Sequence, residues 1–249
     1  MLKWGGCTDV GKARPVNEDG YYFSVCSEET ETTYAMVADG MGGHLAGEVA
    51  STMAIRQISE HINAQYAEEL TIAATKKLLV KAIKKANSEI YQKSRKDMAY
   101  HGMGTTLTLC FTTKGKAIVA HVGDSRAYLM RHGELHQITT DHSLVQELLS
   151  GGQITEKEAA THPQKNVITR ALGTDAAVDI DLYEFELTSG DLVLLSTDGL
   201  TNMLQDAELV SLLAERPEQP VEEAAKHLVL KANEKGGHDN ITAVLGRSE

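Results

Sequence analysis

Alternating apolar and polar positions indicate several short strands along the chain. Residues 106–111 alternate between threonine or cysteine and leucine or phenylalanine, which is the period of a strand whose two faces meet different surroundings. Further apolar runs lie at 117–122, 127–131 and 192–197, with turn-forming Lys-Gly and His-Gly pairs beside the first two. Runs this closely spaced predict antiparallel hairpins.

Three longer stretches place apolar residues at helical spacing. They consist of Leu45, Val49, Met53, Ile58 and Ile62; of Leu79, Ile83, Ala86 and Ile90; and of Val221, Ala224, Ala225, Leu228 and Ala232. The third has two glutamates in its first turn and two glycines just past its end, as helix termini prefer. Strands and helices in separate blocks predict an α+β protein whose helices cover antiparallel sheets.

The segment from about 141 to 170 interrupts the strand pattern with two short helices. Asp141 is a candidate cap for the first, which runs through Ser150. Thr155 and Glu158 form a capping box for the second, which ends near Pro163. Such a pair is either a flap that leaves the sheet or an ordinary connection, and the pattern alone does not separate the two.

Composition narrows the class of protein. The 249 residues include 42% hydrophobic ones, enough to build a core, and we expect one domain over residues 1–249. A net charge of −11 argues against nucleic acid as a partner, because phosphate contacts need clustered lysine and arginine. Three cysteines without C-x-x-C spacing argue against a disulfide framework or a thiolate zinc site. Residues 1–9 have turn character and no signal-peptide pattern, and no run is long enough for a membrane span. We therefore expect a cytoplasmic monomer.

Aspartate beside glycine recurs where apolar strands end. The junctions are Asp39-Gly40, Asp198-Gly199, Gly123-Asp124 and, before a strand, Asp239 in Gly-Gly-His-Asp-Asn. A single Asp-Gly pair is usually only a turn. Four at strand ends can converge, and converging carboxylates repel one another unless a positive charge lies among them.

A divalent cation would satisfy that requirement. Carboxylates, backbone carbonyls and water suit Mg or Mn, and the glycine at Gly40 would let its carbonyl approach a metal. Two ions about 4 Å apart could share Asp39 and activate a bridging water for attack at phosphorus. Zinc on histidine is less favoured, since the ten histidines show no H-E-x-x-H spacing.

Arg14 is the candidate phosphate ligand. A guanidinium recognises two phosphate oxygens at once, and Arg14 lies in a loop with Pro15, next to Glu18 and Asp19. An isolated arginine is usually a solvated surface residue, but its acidic neighbours favour a role in the site.

Eight motifs together resemble the metal-dependent protein phosphatases of the PPM (type 2C) family, in the short bacterial form. In chain order they are Arg-Pro-Val-Asn-Glu-Asp at 14–19, Asp-Gly-Met-Gly-Gly-His at 39–44, Gly-Met-Gly-Thr-Thr at 102–106, His-Val-Gly-Asp-Ser-Arg at 121–126, Asp-His-Ser-Leu-Val at 141–145, His-Pro-Gln-Lys-Asn at 162–166, Thr-Asp-Gly-Leu-Thr-Asn at 197–202 and Gly-His-Asp-Asn-Ile-Thr at 237–242. Each motif is weak alone, whereas eight in the family's order are specific.

The resemblance implies a fold and a set of roles. The fold would be a four-layer α-β-β-α sandwich of two antiparallel sheets, with a mobile flap at about 141–170. Two Mn or Mg ions would be bound, and Asp39 would bridge them. The remaining implied roles are the Gly40 carbonyl on the first metal, Asp198 and Asp239 on the second, Glu18 and Asp19 on metal-bound waters, Arg14 on the substrate phosphate, and Asp124, helped by Asp198, on a third metal.

One position departs from many eukaryotic members of that family. They place a histidine, proposed as the general acid, directly after the first Asp-Gly, where this chain has Met41. His44 follows three residues later and could equally begin the next helix. Water on the third metal is another candidate proton donor.

The sequence thus predicts a protein phosphatase for phosphoserine and phosphothreonine. Its partners would be phosphorylated proteins, among them a bacterial Ser/Thr kinase that it opposes. Two alternatives stay open: a metal-dependent phosphohydrolase for small molecules, and a catalytically silent regulatory module of the same fold. No expected ligand is missing for the first reading, and no P-loop favours nucleotides.

Overall fold

The computed structural model describes residues 1–43, 46–68, 70–215 and 218–249. Within them the strands are β1 Leu2–Asp9, β2 Asp19–Ser27, β3 Thr32–Met41, β4 Gly104–Thr105, β5 Leu107–Thr113, β6 Lys116–Val122, β7 Arg126–Arg131, β8 Glu134–Gln137, β9 Asp181–Glu186, β10 Leu192–Ser196 and β11 Ile241–Ser248. The α-helices are α1 Ala46–Gln65, α2 Ile72–Lys96, α3 Leu144–Ser150, α4 Glu156–Ala160, α5 Asp198–Thr201, α6 Asp206–Ala214 and α7 Val221–Glu234. Two residues named above, His44 and Leu45, lie outside the described residues. Across the described ranges, no helix combines the length and the apolarity that a membrane crossing needs.

Two antiparallel sheets form the centre of the fold. One has the order β1-β11-β10-β7-β8, and the other has β2-β3-β5-β6-β9 with β4 beside β3. Helices α1 and α2 cover the second sheet, while α6 and α7 pack on the first. The predicted α+β class and the four-layer sandwich are confirmed.

The two faces of β3 and β5 explain the layers. On β3, Tyr34 and Met36 pack under the helices, while Ala35 and Val37 lie between the sheets with small or branched neighbours. On β5, leucine and phenylalanine likewise face the helices and Cys110 faces the opposite sheet. Because side chains alternate along a strand, the alternation in residues 106–111 predicted this division correctly.

The first helix of the segment from about 141 to 170 begins later than the sequence indicated. Ser143, not Asp141, is the N-cap of α3: its backbone is extended and its hydroxyl accepts from the Gln146 N–H at 3.3 Å. Asp141 is instead bound by Arg126, whose Nε lies 2.9 and 3.0 Å from the two carboxylate oxygens. An ion pair in which a guanidinium binds both carboxylate oxygens is stronger than the hydrogen bond from a side chain to a helix N–H. The pairing with Arg126 therefore decides the position of Asp141. The Thr155–Glu158 capping box of α4 is present as predicted.

Residues 2–9 form a strand that the turn-like sequence did not predict. β1 pairs along its whole length with β11, from Leu2 opposite Ser248 to Asp9 opposite Ile241. Glycine is required at two of its positions: a Cβ on Gly5 would collide with the α7 backbone at Glu222, and one on Gly6 would meet the Tyr21 ring at 2.7 Å. These glycines permit close packing and do not mark turns.

Candidate metal centre

Asp39 lies at the end of β3, directly opposite Asp19 at the start of β2. The backbone of Asp39 is fixed by two threonines. Its N–H donates to the Thr106 Oγ1 at 2.9 Å, and its carbonyl accepts from the Thr106 N–H and the Thr105 Oγ1, both at 2.9 Å. With its backbone held in this way, Asp39 presents its carboxylate at the end of the sandwich.

The other sheet contributes Asp198 and Asp239 to the same end. Asp198 begins α5 with one residue between it and the end of β10, and one residue likewise separates Asp239 from the start of β11, the neighbour of β10. Gly199 makes the approach possible, because a Cβ there would collide with the Asn240 carbonyl. Burial and the nearby Asp239 charge raise the pKa of Asp198 above its ordinary value.

Asp39 lies within the electrostatic reach of four other carboxylates. Burial raises the pKa of Asp39 well above its ordinary value, and the charges of Asp19, Asp198, Asp124 and Asp239 raise it further. Like charges in a low-dielectric site disfavour ionisation, so this cluster holds protons unless a cation replaces them.

Asp19 and Asp124 show the same effect. Burial raises the pKa of Asp19 to about 7, although the Thr242 and Thr197 hydroxyls donate to its Oδ2 at 2.6 and 2.8 Å. Burial, followed by the charges of Asp198 and Asp141, raises the pKa of Asp124 to about 8. The Oδ1 atoms of both aspartates are buried with no hydrogen-bond partner among the described groups.

These observations fit a divalent cation. Hard oxygen donors, orphaned buried carboxylate atoms and mutual repulsion are what Mg or Mn would relieve. No three Asp, Glu, His or Cys side chains in the described ranges already stand in coordination geometry.

Gly40 is where three backbone segments meet. Its N–H donates to the Glu18 carbonyl at 3.2 Å, and a Cβ on Gly40 would collide with the backbone of Gly47 in α1. The Glu18 carboxylate accepts from the Gly47 N–H at 3.2 Å, and partial burial raises its pKa. The glycine is thus needed for packing at the start of α1, besides any approach of its carbonyl to a metal.

Arg14 borders the carboxylates from the solvent side. Its side chain is 49% exposed, and its Nη2 donates to the Asp239 Oδ2 at 2.7 Å. A cavity of about 410 Å³ opens next to Asp124 and Asp198 and is walled on its far side by α3 and α4. All eight predicted site residues lie at or beside this end of the sandwich, whereas the Met41 methyl lies against Gly104.

Sequence reasoning missed the polar residues that hold the carboxylates. Thr197 and Thr242 bind Asp19, and the Asn240 amide donates to the carbonyls of Val10 and Val16 at 2.9 Å each. The Asn240 Oδ1 accepts from the Glu18 N–H at 2.8 Å and so joins the two ends of the chain. All three belong to quoted motifs that contain a predicted aspartate: Thr197 and Asn240 adjoin Asp198 and Asp239, and Thr242 follows Asp239 by three residues. Those motifs are the signal that could have identified them.

Comparison with known proteins decides the family. The sequence profile described as Protein phosphatase 2C matches residues 13–243. The chain belongs to the protein phosphatase 2C family. It is similar to the serine/threonine phosphatase stp of Listeria innocua, with 40% identity over 238 residues that cover 96% of this chain and 92% of the relative.

Solved structures of serine/threonine phosphatases share the fold. The S. agalactiae serine/threonine phosphatase has a TM-score of 0.92 and 36% identity, with 100% of both chains covered. The catalytic domain of the serine threonine protein phosphatase PstP, described in complex with two manganese ions, has a TM-score of 0.84 and 35% identity, covering 99% of this chain and 97% of that one. These likenesses span both sheets and the flap segment.

Proposed function

We propose that this protein is a metal-dependent serine/threonine phosphatase that hydrolyses phosphoserine and phosphothreonine on proteins. One observation carries the proposal: burial and neighbouring carboxylate charges raise the pKa of four aspartates, Asp19, Asp39, Asp124 and Asp198, beside an open cavity. Asp239 and Arg14 border this cluster. Membership of the protein phosphatase 2C family and relatives named serine/threonine phosphatases support it.

The aspartates would hold two Mn or Mg ions and a third. In this proposal Asp39 would be shared by the first two ions, the Gly40 carbonyl would hold the first, and Asp198 and Asp239 would hold the second. Asp124 would hold the third with help from Asp198. When bound, the cations balance the carboxylate charges and make water acidic enough to act as a nucleophile near neutral pH. The described complex of PstP with two manganese ions supports this choice of metal.

Arg14, Glu18 and Asp19 would act around that centre. Arg14 donates two parallel N–H groups to the substrate phosphate, the geometry in which arginine binds oxyanions most strongly. Its present partner, Asp239, holds the guanidinium at the border of the site. Glu18 and Asp19 orient the hydration shell of the cations, with Asp19 fixed by Thr197 and Thr242.

We further propose one phosphatase domain over residues 1–249, with a flap at about 141–170 beside the substrate. Phosphorylated proteins, among them a Ser/Thr kinase, are the proposed partners of a cytoplasmic monomer. The flap proposal is supported by α3 and α4, which line the cavity next to Asp124.

A direct assay tests the proposal. Purified protein is incubated with a phosphothreonine peptide and with p-nitrophenyl phosphate, in Mn, in Mg and in EDTA. We expect release of phosphate from both compounds with metal and none with EDTA. A silent regulatory module would release none in any buffer. A small-molecule phosphohydrolase would prefer sugar or nucleotide phosphates over the peptide in kcat/KM, so a panel of such compounds is included.

A further inference from the structure

The loop that carries Asp124 is held by one histidine at the start of the flap segment. His142 is 6% exposed and makes two hydrogen bonds with Gly123, the residue before Asp124. The His142 backbone N–H donates to the Gly123 carbonyl at 2.7 Å, and the Gly123 N–H donates to the His142 Nδ1 at 2.9 Å. The backbone N–H and the ring of His142 therefore bind the carbonyl and the N–H of Gly123.

These contacts define the tautomer of His142. Because Nδ1 accepts, the ring proton of the neutral imidazole must be on Nε2. The Nε2 lies 3.2 Å from the Asp181 Oδ2 and donates to it. The Arg170 Nη1 lies 3.1 Å from the same Nε2 and donates to the Asp181 Oδ1 at 2.8 Å. Both ring nitrogens are thus engaged, one by the Asp124 loop and the other by Asp181 in β9.

Both ends of the flap segment meet at the same point. The carbonyl of His142 accepts from the Thr169 N–H at 2.8 Å, and the Leu144 N–H donates to the Val167 carbonyl at 2.9 Å. Arg170 then reaches Asp181 beside the ring. The residues that lead into and out of the flap are therefore attached to the imidazole that holds Gly123.

The Asp124 loop has little room to move away from His142. Gly123 has φ of +115°, and a Cβ there would meet the Thr106 side chain at 2.6 Å. The Thr106 hydroxyl is bonded to the Asp39 N–H at 2.9 Å and to the Ser125 hydroxyl at 2.8 Å. The loop is thus confined between Thr106, which also fixes Asp39, and His142.

We propose that His142 is a positioning residue: its Nδ1 accepts a hydrogen bond from the Gly123 N–H and so orients the Asp124 carboxylate for cation binding. His142 thereby links the Asp124 site to the base of the flap. The inference rests on the proposed function, in which Asp124 binds a cation. Residues that orient ligands from outside the coordination shell typically change metal affinity ten- to a hundredfold when they are replaced.

Two substitutions separate the roles of the two ring nitrogens. His142→Asn keeps an amide oxygen near the Nδ1 position and so can still accept from Gly123. His142→Gln places its amide near the Nε2 position, where it can contact Asp181 but leaves the Gly123 N–H without an acceptor. We expect His142→Gln to weaken Mn²⁺ binding at one site roughly ten- to a hundredfold, and His142→Asn to recover most of that loss. Calorimetric Mn²⁺ titration measures both.

Asn87→Ala is a matched control. Asn87 is 1% exposed, and its Oδ1 accepts from the Gly173 N–H at 2.8 Å, which is the same kind of bond at similar burial. We expect this variant to lower the melting temperature while its Mn²⁺ isotherm stays like that of the wild type. A loss of Mn²⁺ affinity in Asn87→Ala as large as in His142→Gln would mean that general destabilisation explains both.

A double variant tests the route through Asp124. In an Asp124→Ala background, His142→Gln should cause no further loss of Mn²⁺ affinity, because the carboxylate that it positions is gone. The inference is overturned if His142→Gln binds Mn²⁺ like the wild type, or if its loss is undiminished without Asp124. Absence of phosphatase activity in the wild type would instead refute the proposed function, while the Mn²⁺ titrations would still decide the inference.

Discussion

Asp39 shows how a side chain of the candidate site can lower the stability of the folded protein. Its carboxylate is buried among four others that raise its pKa. Replacing it by the isosteric amide in Asp39→Asn should abolish phosphatase activity, because the proposed bridging charge is lost. In metal-free buffer the same change should raise the melting temperature by about 2–4 °C, the equivalent of about 1 kcal/mol for a chain of this size. Scanning calorimetry in EDTA and a phosphopeptide assay in Mn measure the two effects.

Asp191 provides the matched control for Asp39→Asn. Its side chain is 2% exposed, and it is bound by Arg131, whose Nη2 lies 2.6 Å from Oδ2. Asp191→Asn should lower the melting temperature, since it leaves a guanidinium without its charged partner. If both variants were destabilised in EDTA, repulsion within the aspartate cluster would not be the dominant effect at Asp39.

Arg14 can be tested independently of the metals. Arg14→Ala should lower kcat/KM for a phosphothreonine peptide roughly ten- to a hundredfold, because charged hydrogen bonds to the phosphate are lost. The affinity for Mn should change far less than in Asp39→Asn. Arg56→Ala, which removes an exposed arginine on α1, should leave kcat/KM unchanged. Wild-type kinetics in Arg14→Ala would remove Arg14 from the proposed phosphate site.

At the scale of elements, the flap offers a test of substrate preference. Lys165 lines the cavity beside Asp124, whereas Lys157 on α4 does not. Lys165→Glu should change kcat/KM for phosphopeptides of opposite charge by up to about fivefold, the range of a single exposed ion pair. Turnover of p-nitrophenyl phosphate, which is too small to reach the flap, should be unaffected. Lys157→Glu serves as the control. An equal effect of both variants would mean that the segment is only a connection and does not determine substrate preference.

The elements that the sequence predicted are those with a clear period. Residues 106–111 alternate because one face meets the helices and the other meets the second sheet. β1 escaped prediction, because its glycines fit against α7 and Tyr21, and that requirement is visible only when the layers are packed. Ser143 replaced Asp141 as a cap because Arg126, fifteen positions away, binds Asp141.

The candidate site was predictable in its residues and not in its contacts. The motifs placed the aspartates at strand ends, and the ends of neighbouring strands in one sheet lie close together. The pairing of Arg14 with Asp239 joins positions 225 apart, and no local pattern encodes it. The hydrogen bonds from Thr197 and Thr242 to Asp19 likewise depend on the register of β10 with β11.

For the whole molecule, the aspartate cluster predicts how stability depends on pH without metal. The pKa values of Asp19 and Asp124 rise from 3.8 to about 7 and about 8, so the folded state keeps protons that the unfolded state releases. Stability from these groups is complete below about pH 4 and is lost as pH rises to about 8. The melting temperature in EDTA should therefore fall between pH 6.5 and 8, and Mn should remove most of this fall. A flat profile in EDTA would contradict it.

His121 has the opposite effect on stability at acidic pH. Burial and the neighbouring His142 lower its pKa from 6.5 to about 3, so the unfolded state binds a proton that the folded state does not. This contribution to stability is present above pH 6.5 and is lost as pH falls toward 3. Between about pH 4 and 6.5 the two aspartates lose more stability than His121 gains, so these groups place the highest melting temperature of the metal-free protein near pH 4, which the same series of melts would show.

The pairing of β1 with β11 has a consequence for how the protein is made. Leu2 stands opposite Ser248, and β11 also separates β1 from β10, so the first sheet is assembled from distant parts of the chain. Contacts between such distant segments form slowly, after a long loop has closed. During synthesis, Asp39 leaves the ribosome long before Asp239. Until β11 has emerged, the nascent chain would carry only part of the cluster, and hydrolysis could begin only after β11 has paired with β1 and β10.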